Sequence, residues 1–322
     1  MSGRRRTPSP SGSFEIVVEA AWLYYNEGLN QNEIARRLGV SRASVVNYLQ
    51  EGRERGLIRI RLADEPFLTH SLSLDLQKRF GLKAAYVVPA GSPGDDTATL
   101  LRVAKAAGTW LPALLQAGDT IGVAWGRTIH EMAEGMETVP VADCRVVQLT
   151  GSMATPYGFT AELCSARLAQ RLNARCINLH VPAILSNAAL AEALRAEPLI
   201  HAQLHALGDC NKAVFAAGSC TAESHIVLSG IASAADIAGY RARGARAVLC
   251  GRFVDEAGRH VPGPLDDRMI GITPDRMLGL ELGLLVSCGP DKVEPMQAVL
   301  RGGYASHIVT DSATAQALLG EG

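Results

Sequence analysis

Residues 31–62 read QNEIARRLGVSRASVVNYLQEGRERGLIRIRL. Ile34, Ala35 and Leu38 recur at helical spacing, Gly39 interrupts the run, and Ser41 stands where a second helix needs its N-cap. That second run carries Val45 and Leu49 one turn apart. The small Ala35 lets two helices cross closely, and Gly39 can take the positive φ of a tight turn. These residues predict a helix-turn-helix whose second helix turns Arg42, Ala43, Ser44 and Asn47 outward, with Gln31 at the start of the first helix completing the candidate set. A guanidinium there suits guanine and an amide suits adenine in the major groove of double-stranded DNA. Arg53, Arg55, Arg59 and Arg61 follow, the last two on the alternating stretch IRIRL, which reads as the wing of a winged helix-turn-helix with phosphates as its targets.

A glycine-centred pair of helices also occurs in proteins that never meet DNA. Charge favours the DNA reading. Residues 1–62 hold ten arginines, no lysine and six acidic residues, a net of +4, which leaves −5 for the remaining 260 in a chain of net −1. A basic head on an acidic body is expected when one part alone contacts nucleic acid.

Upstream, residues 14–27 place Val18, Ala21, Trp22 and Tyr25 on one helical face, predicting a first helix that supports the reading unit. Residues 1–13, rich in arginine and turn formers, read as a flexible tail without the apolar core of a signal peptide. No apolar run approaches the roughly 20 residues that span a bilayer. A cytoplasmic protein without a membrane partner is the expectation. The seven cysteines, odd in number and without a C-x-x-C pair, read as reduced core residues. His201 and His205 form one i,i+4 pair with no third ligand in sight, so neither metal nor cofactor is expected.

Downstream, residues 64–83 contain a proline-marked junction and a linker helix with Leu72, Leu76 and Phe80 on one face, able to pack on the body or on a partner subunit. From residue 84 to 322 short apolar runs (AAYVVP, DTIGVAW, RVVQLTG, CINLHVP, KAVFAAG, RAVLCG, MIGI, GLLVSCG, SHIVTD) alternate with amphipathic segments at 97–117, 128–136, 160–173, 188–196, 233–243, 293–301 and 312–319. Strands apolar on both faces that alternate with helices predict an α/β domain with a Rossmann-like, mostly parallel sheet. The predicted domains are thus a tail (1–13), a winged helix-turn-helix (14–63), a linker helix (64–83) and an effector domain (84–322).

In such a sheet a ligand sits beyond the carboxyl ends of the strands. The loops that fit are Trp125-Gly126-Arg127-Thr128, Gly151-Ser152, Ala217-Gly218-Ser219, Gly251-Arg252 and Gly289-Pro290-Asp291-Lys292. Glycines admit close backbone approach, helix N-termini favour anions, and Arg127, Arg252 and Lys292 add cationic donors, so a small, oxygen-rich guest is expected. The same glycines also serve to make ordinary turns. Lys292 is one of only five lysines, and Asp291 beside it can equally be a helix cap.

From about residue 20 to 319 the chain resembles the SorC family of sugar-binding transcriptional regulators. The resemblance rests on AAWLYYNEGLNQNEIARRLGVSRASVVNYLQEGRERGLI, GDTIGVAWGRTI, RVVQLTGS, CGRFVDEAG and CGPDKVEPMQAVLRGGYASHIVTDSATAQALL, in that order and spacing. It implies a winged helix-turn-helix on an effector domain related to phosphosugar isomerases, a homo-oligomer (tetramer or dimer), and DNA affinity set by a sugar, polyol or sugar phosphate. Carried over, the effector-binding residues are Trp125, Gly126, Arg127, Thr128, Gly151, Ser152, Gly218, Gly251 and Lys292. Val248 stands where relatives often carry an acid that holds sugar hydroxyls, which implies a different hydroxyl pattern or a less polar ligand. Pro290 and Ser152 replace glycines common in relatives. The rival reading is a sugar-phosphate isomerase or deaminase with an appended DNA-binding domain. Proton abstraction needs a positioned base, and Asp255, Asp291 and Glu294 form no recognisable acid/base constellation. No dinucleotide or Walker motif is present.

Overall fold

The computed structural model describes residues 10–58, 71–91, 94–156 and 158–320. It divides into two compact units, Met1–Ala63 and Asp64–Gly322. The first holds helices α1 (Pro10–Tyr25), α2 (Gln31–Leu38) and α3 (Arg42–Glu54). Gly39 ends α2 at φ 67, and Ser41 caps α3 by accepting the Ser44 N–H. A capping box opens α2, in which the Asn30 side chain takes the Glu33 N–H and the Glu33 carboxylate takes the Asn30 N–H.

Two expectations need correction here. Helix α1 begins at Pro10, inside the stretch read as tail. It also buries the opposite face from the expected one. Ala20 and Leu23 meet Ile34, Ala35, Val45 and Leu49, and Val17 is buried beside Gly52, while of the expected set Ala21 alone packs partly on this core and Val18, Trp22 and Tyr25 are 42%, 59% and 45% exposed. The helix is apolar on both sides, so periodicity cannot choose, and the compact aliphatic face is the one that fits closely on α3 near Gly52. The expected wing, with Arg59 and Arg61, lies outside the described residues.

The second unit begins with α4 (Ser71–Phe80), whose Leu76 is fully buried with Leu72 and Phe80 packed around it. The linker helix therefore covers its own unit. A parallel sheet of seven strands follows in the order β1-β10-β9-β5-β2-β3-β4: β1 (Ala84–Val88), β2 (Thr120–Val123), β3 (Arg145–Gln148), β4 (Arg175–Ile177), β5 (Lys212–Phe215), β9 (Leu282–Val286) and β10 (His307–Asp311). The central strands are buried on both faces, as two-sided apolar runs demand. Covering helices are α5 (Asp96–Trp110), α6 (Arg127–Gly135), α7 (Ala161–Leu172), α8 (Ala188–Ala196), α9 (Pro198–Ala206), α12 (Val293–Arg301) and α13 (Ser312–Gly320).

RAVLCG does not join this sheet. It forms β7 (Ala245–Leu249), central in a separate antiparallel sheet between β6 (Gly218–Ser219) and β8 (Arg252–Asp255). The reversal is a two-residue turn with φ 48 at Cys250 and φ 85 at Gly251, the geometry of a primed hairpin turn. A cysteine where asparagine is usual hid that signal. MIGI makes only isolated bridges, Ile184 to Met269 and Thr150 to Gly271. Two short helices complete the small layer, α10 (His225–Leu228) and α11 (Ala234–Ala242). Its outer end is fixed to the large one where Gly258 lies against Gly302, the C-cap of α12. A Cβ on Gly258 would collide with the Gly302 Cα, and Tyr304 Oη donates to Gly258 O across 2.7 Å.

Candidate functional site

Chain order reverses between β2 and β5, since β3 and β4 continue to one side and β9, β10 and β1 lie on the other. The carboxyl ends flanking such a reversal cannot be closed by one crossover, which leaves a crevice. A cavity of about 920 Å³ occupies it. Trp125, Gly126, Arg127 and Thr128 line it from the end of β2, and Gly218, Gly251 and Lys292 from the small sheet and the α12 approach.

Gly151 and Ser152, expected with them, are absent from this lining. Gly151 N–H donates to Ile270 O, a Cβ there would strike Val181 O, and Ser152 Oγ donates to Leu179 O. They close the β3 crossover instead. Arg252 is also turned away, pairing with Asp266 at 2.8 Å while 5% exposed.

Lys292 Nζ lies 2.8 Å from Asp291 Oδ2 and donates to Ser219 Oγ across 2.8 Å. Burial pushes the Asp291 carboxyl upward, but the Lys292 hydrogen bond and charge, helped by Ser219, outweigh it and hold it below the usual carboxylate range. Asp291 therefore stays ionised. Arg127 opens α6, whose N-cap Gly126 offers no side chain, so the first N–H groups of that nine-residue helix face the cavity region with a guanidinium beside them. Arg127 Nη2 reaches Thr97 Oγ1 at 3.4 Å.

The His225 ring lies 6.3 Å from Trp125 and 5.7 Å from Phe159, centroid to centroid. Burial, then the Lys292 charge, push its value down against the opposing pull of Asp291, and the Arg127 charge adds a little to the fall, so the ring is neutral near pH 7. His225 and the neighbouring Ser224 were missed in the sequence, since nothing in TAESH marks a pocket turn.

Of the three carboxylates weighed for catalysis, only Asp291 reaches the cavity. Asp255 is held by Arg259 and Glu294 by Arg241 and Arg246. All seven cysteines are free thiols, and burial pushes five of them up to about 12. Among the described residues no group of three or more His, Cys, Asp or Glu gathers as a metal site would. No described helix is long and apolar enough to cross a membrane.

In the first unit Arg42, Ala43 and Asn47 are exposed on α3. Arg42 Nε donates to Gln31 Oε1 across 3.2 Å, so Gln31 orients the arginine. Ser44 departs from expectation. It is half-buried, with its hydroxyl 2.9 Å from that of Ser41, because it occupies the third helical position where the cap engages the backbone. Arg53 is exposed and donates through Nε to Leu49 O.

Residues 64–320 match the sequence family described as "Putative sugar-binding domain", and residues 20–65 match the MarR family. The chain is 36% identical over 320 residues to the uncharacterized transcriptional regulator YjhU of Escherichia coli K12, covering 98% of each. It is 31% identical over 312 residues to the transcriptional regulator LsrR of Klebsiella pneumoniae, covering 95% of this chain and 93% of the relative. The crystal structure of the full-length sorbitol operon regulator SorC from Klebsiella pneumoniae superposes with a TM-score of 0.80 at 22% identity, over 97% of this chain and 100% of that one, a likeness of fold.

Proposed function

The chain belongs to the SorC family of sugar-binding transcriptional regulators, and on that premise we propose that it controls a carbohydrate or polyol uptake or breakdown operon. Double-stranded operator DNA is read by Arg42 and Asn47, with Arg53 on phosphate. A small sugar, polyol or sugar phosphate occupies the cavity between β2 and β5, held by Lys292, Arg127 and the α6 N-terminus. The observation that carries this reading is the convergence of two cations and an uncapped helix N-terminus at the one reversal of strand order.

Control follows from differential affinity. An effector that binds one arrangement of a homo-oligomer about 100-fold better supplies roughly 2.7 kcal/mol toward it, within the usual range of allosteric coupling. One helix-turn-helix makes few base contacts, so symmetric pairing is required for useful specificity, and the exposed Val18, Trp22 and Tyr25 offer a surface that pairing would bury. The domain acts as a sensor, in keeping with relatives named as transcriptional regulators. Its site of action is the cytoplasm, where the operator lies.

Fluorescence anisotropy on the DNA upstream of its own gene tests this, with and without a panel of sugars, polyols and their phosphates. Binding that one compound shifts is expected. Indifference to that DNA at low salt under every condition overturns the reading.

A further inference from the structure

The cavity wall is chemically uneven. Val248 stands opposite Gly218 in the β6–β7 pairing and lines the cavity together with Ile226 and Cys250. These three are 7%, 3% and 7% exposed, and burial pushes the Cys250 thiol up to about 12, leaving it neutral and a weak hydrogen-bonding partner. This stretch therefore presents no side-chain acceptor to a hydroxyl. A sugar hydroxyl pressed against it would lose its water without replacement, a loss that weakens binding about tenfold or more.

Two residues before Ile226 the need is the opposite. Ser224 also lines the cavity and is 8% exposed, and among the described residues its hydroxyl has no hydrogen-bond partner. Buried hydroxyls are nearly always satisfied, so an orphan at a cavity wall points to a partner from outside the chain. Ser224 is the N-cap of α10 yet makes no side-chain cap bond, and its Oγ is covered in this conformer, so a change of χ1 well is what would bring the hydroxyl to a partner in the cavity.

Taking the cavity as the effector site, we propose that it is shaped for an anionic, partly deoxygenated polyol. Its charged group meets Lys292, one hydroxyl is read by Ser224, and a CH₂ or CH₃ group replaces a hydroxyl where it meets Val248 and Ile226. The anion is a phosphate or a carboxylate.

Calorimetric titration of the full-length protein with matched pairs tests this. The phosphate arm compares 2-deoxyribose 5-phosphate with ribose 5-phosphate and 2-deoxyglucose 6-phosphate with glucose 6-phosphate. The carboxylate arm compares rhamnonate with mannonate. In at least one pair the deoxy member is expected to bind about tenfold more tightly. Val248→Asp should remove or invert that preference, with the near-isosteric Val248→Thr as the second variant should the aspartate disturb folding, and Ser224→Ala should weaken the preferred compound about tenfold. Parents that bind as well as their deoxy partners in every pair, or a preference unmoved by both Val248 variants, overturn the inference while leaving the cavity as the effector site. No binding by any member of either arm, from protein that still binds its upstream DNA, overturns both the ligand class and the effector reading for anionic sugars.

Discussion

Lys292 donates to Ser219 across 2.8 Å, joining the approach to α12 to the short strand β6 of the small sheet. The ammonium is thereby fixed at the cavity before any ligand arrives, and preorganised charge loses little entropy on binding. Lys292→Ala should weaken an anionic effector at least tenfold, because charge-assisted hydrogen bonds contribute about 1.5–3 kcal/mol. DNA binding by the effector-free protein should be unchanged. An effector titration by anisotropy that matches wild type would remove Lys292 from the pocket.

Arg42 and Asn47 are exposed at the start and on the outer face of α3. Arg42→Ala or Asn47→Ala should relax base preference at particular operator positions by about 1–3 kcal/mol each. Arg53→Ala should weaken all sequences alike and reduce the slope of log K against log salt by about one unit. Binding measured on a set of single-base operator variants at two salt concentrations separates these outcomes, and a uniform loss for all three would displace α3 from the groove.

Asp119 and Lys212 lie 3.1 Å apart with side chains 5% and 6% exposed. Asn211 and the Gln116 N–H also donate to Asp119, and Lys212 donates to Leu114 O. The pair joins the amino ends of β2 and β5, opposite the cavity. Lys212→Met leaves a buried carboxylate unpaired and should cost about 3–5 kcal/mol of stability in urea. Adding Asp119→Asn should restore part of that loss, and a Lys212→Met midpoint equal to wild type would contradict the assignment.

Burial, then the charges of Lys83 and Lys212, push His307 down to about 4. His225 is lowered as well. For both, the folded-state value lies below the unfolded value of about 6.5, so the unfolded chain takes up the proton first. Their stability contribution is whole above pH ~6.5 and is lost as pH falls through the folded-state values, which for His307 means toward about 4. Asp119 and Asp266, held low, add their losses only below about pH 4. Urea midpoints measured from pH 7.5 to 4.5 should therefore decline, and His307→Gln should flatten the decline. An unaltered profile in that variant would place the titration elsewhere.

Much of the larger sheet was legible because its central strands are buried on both faces, and the turn of the reading unit because Gly39 can take a positive φ and Ser41 carries a capping hydroxyl. The Asn30 cap was legible too, as Asn-x-x-Glu, and went unread. What stayed hidden depends on three-dimensional company. Helix α1 has two apolar faces, and only packing on α3 selects Val17, Ala20 and Leu23. A glycine loop reads the same whether it cradles a ligand or a neighbouring strand, which is why Gly151 resembled Gly126 although the two meet different surroundings. The orphan hydroxyl of Ser224 cannot be seen in a string of letters at all.

The contact of Gly258 with Gly302 has a bearing on ligand size. One glycine ends the loop that continues from the hairpin carrying Val248 and Cys250, and the other ends the helix that starts beside Lys292. Main chain abuts main chain there beside the Tyr304 ring, so the hairpin that lines the cavity through Val248 and Cys250 is seated directly on the helix that follows Lys292. A methyl group at Gly258 would strike the Gly302 main chain and one at Gly302 would strike the Tyr304 ring, so either change would displace the hairpin and the cavity wall it carries.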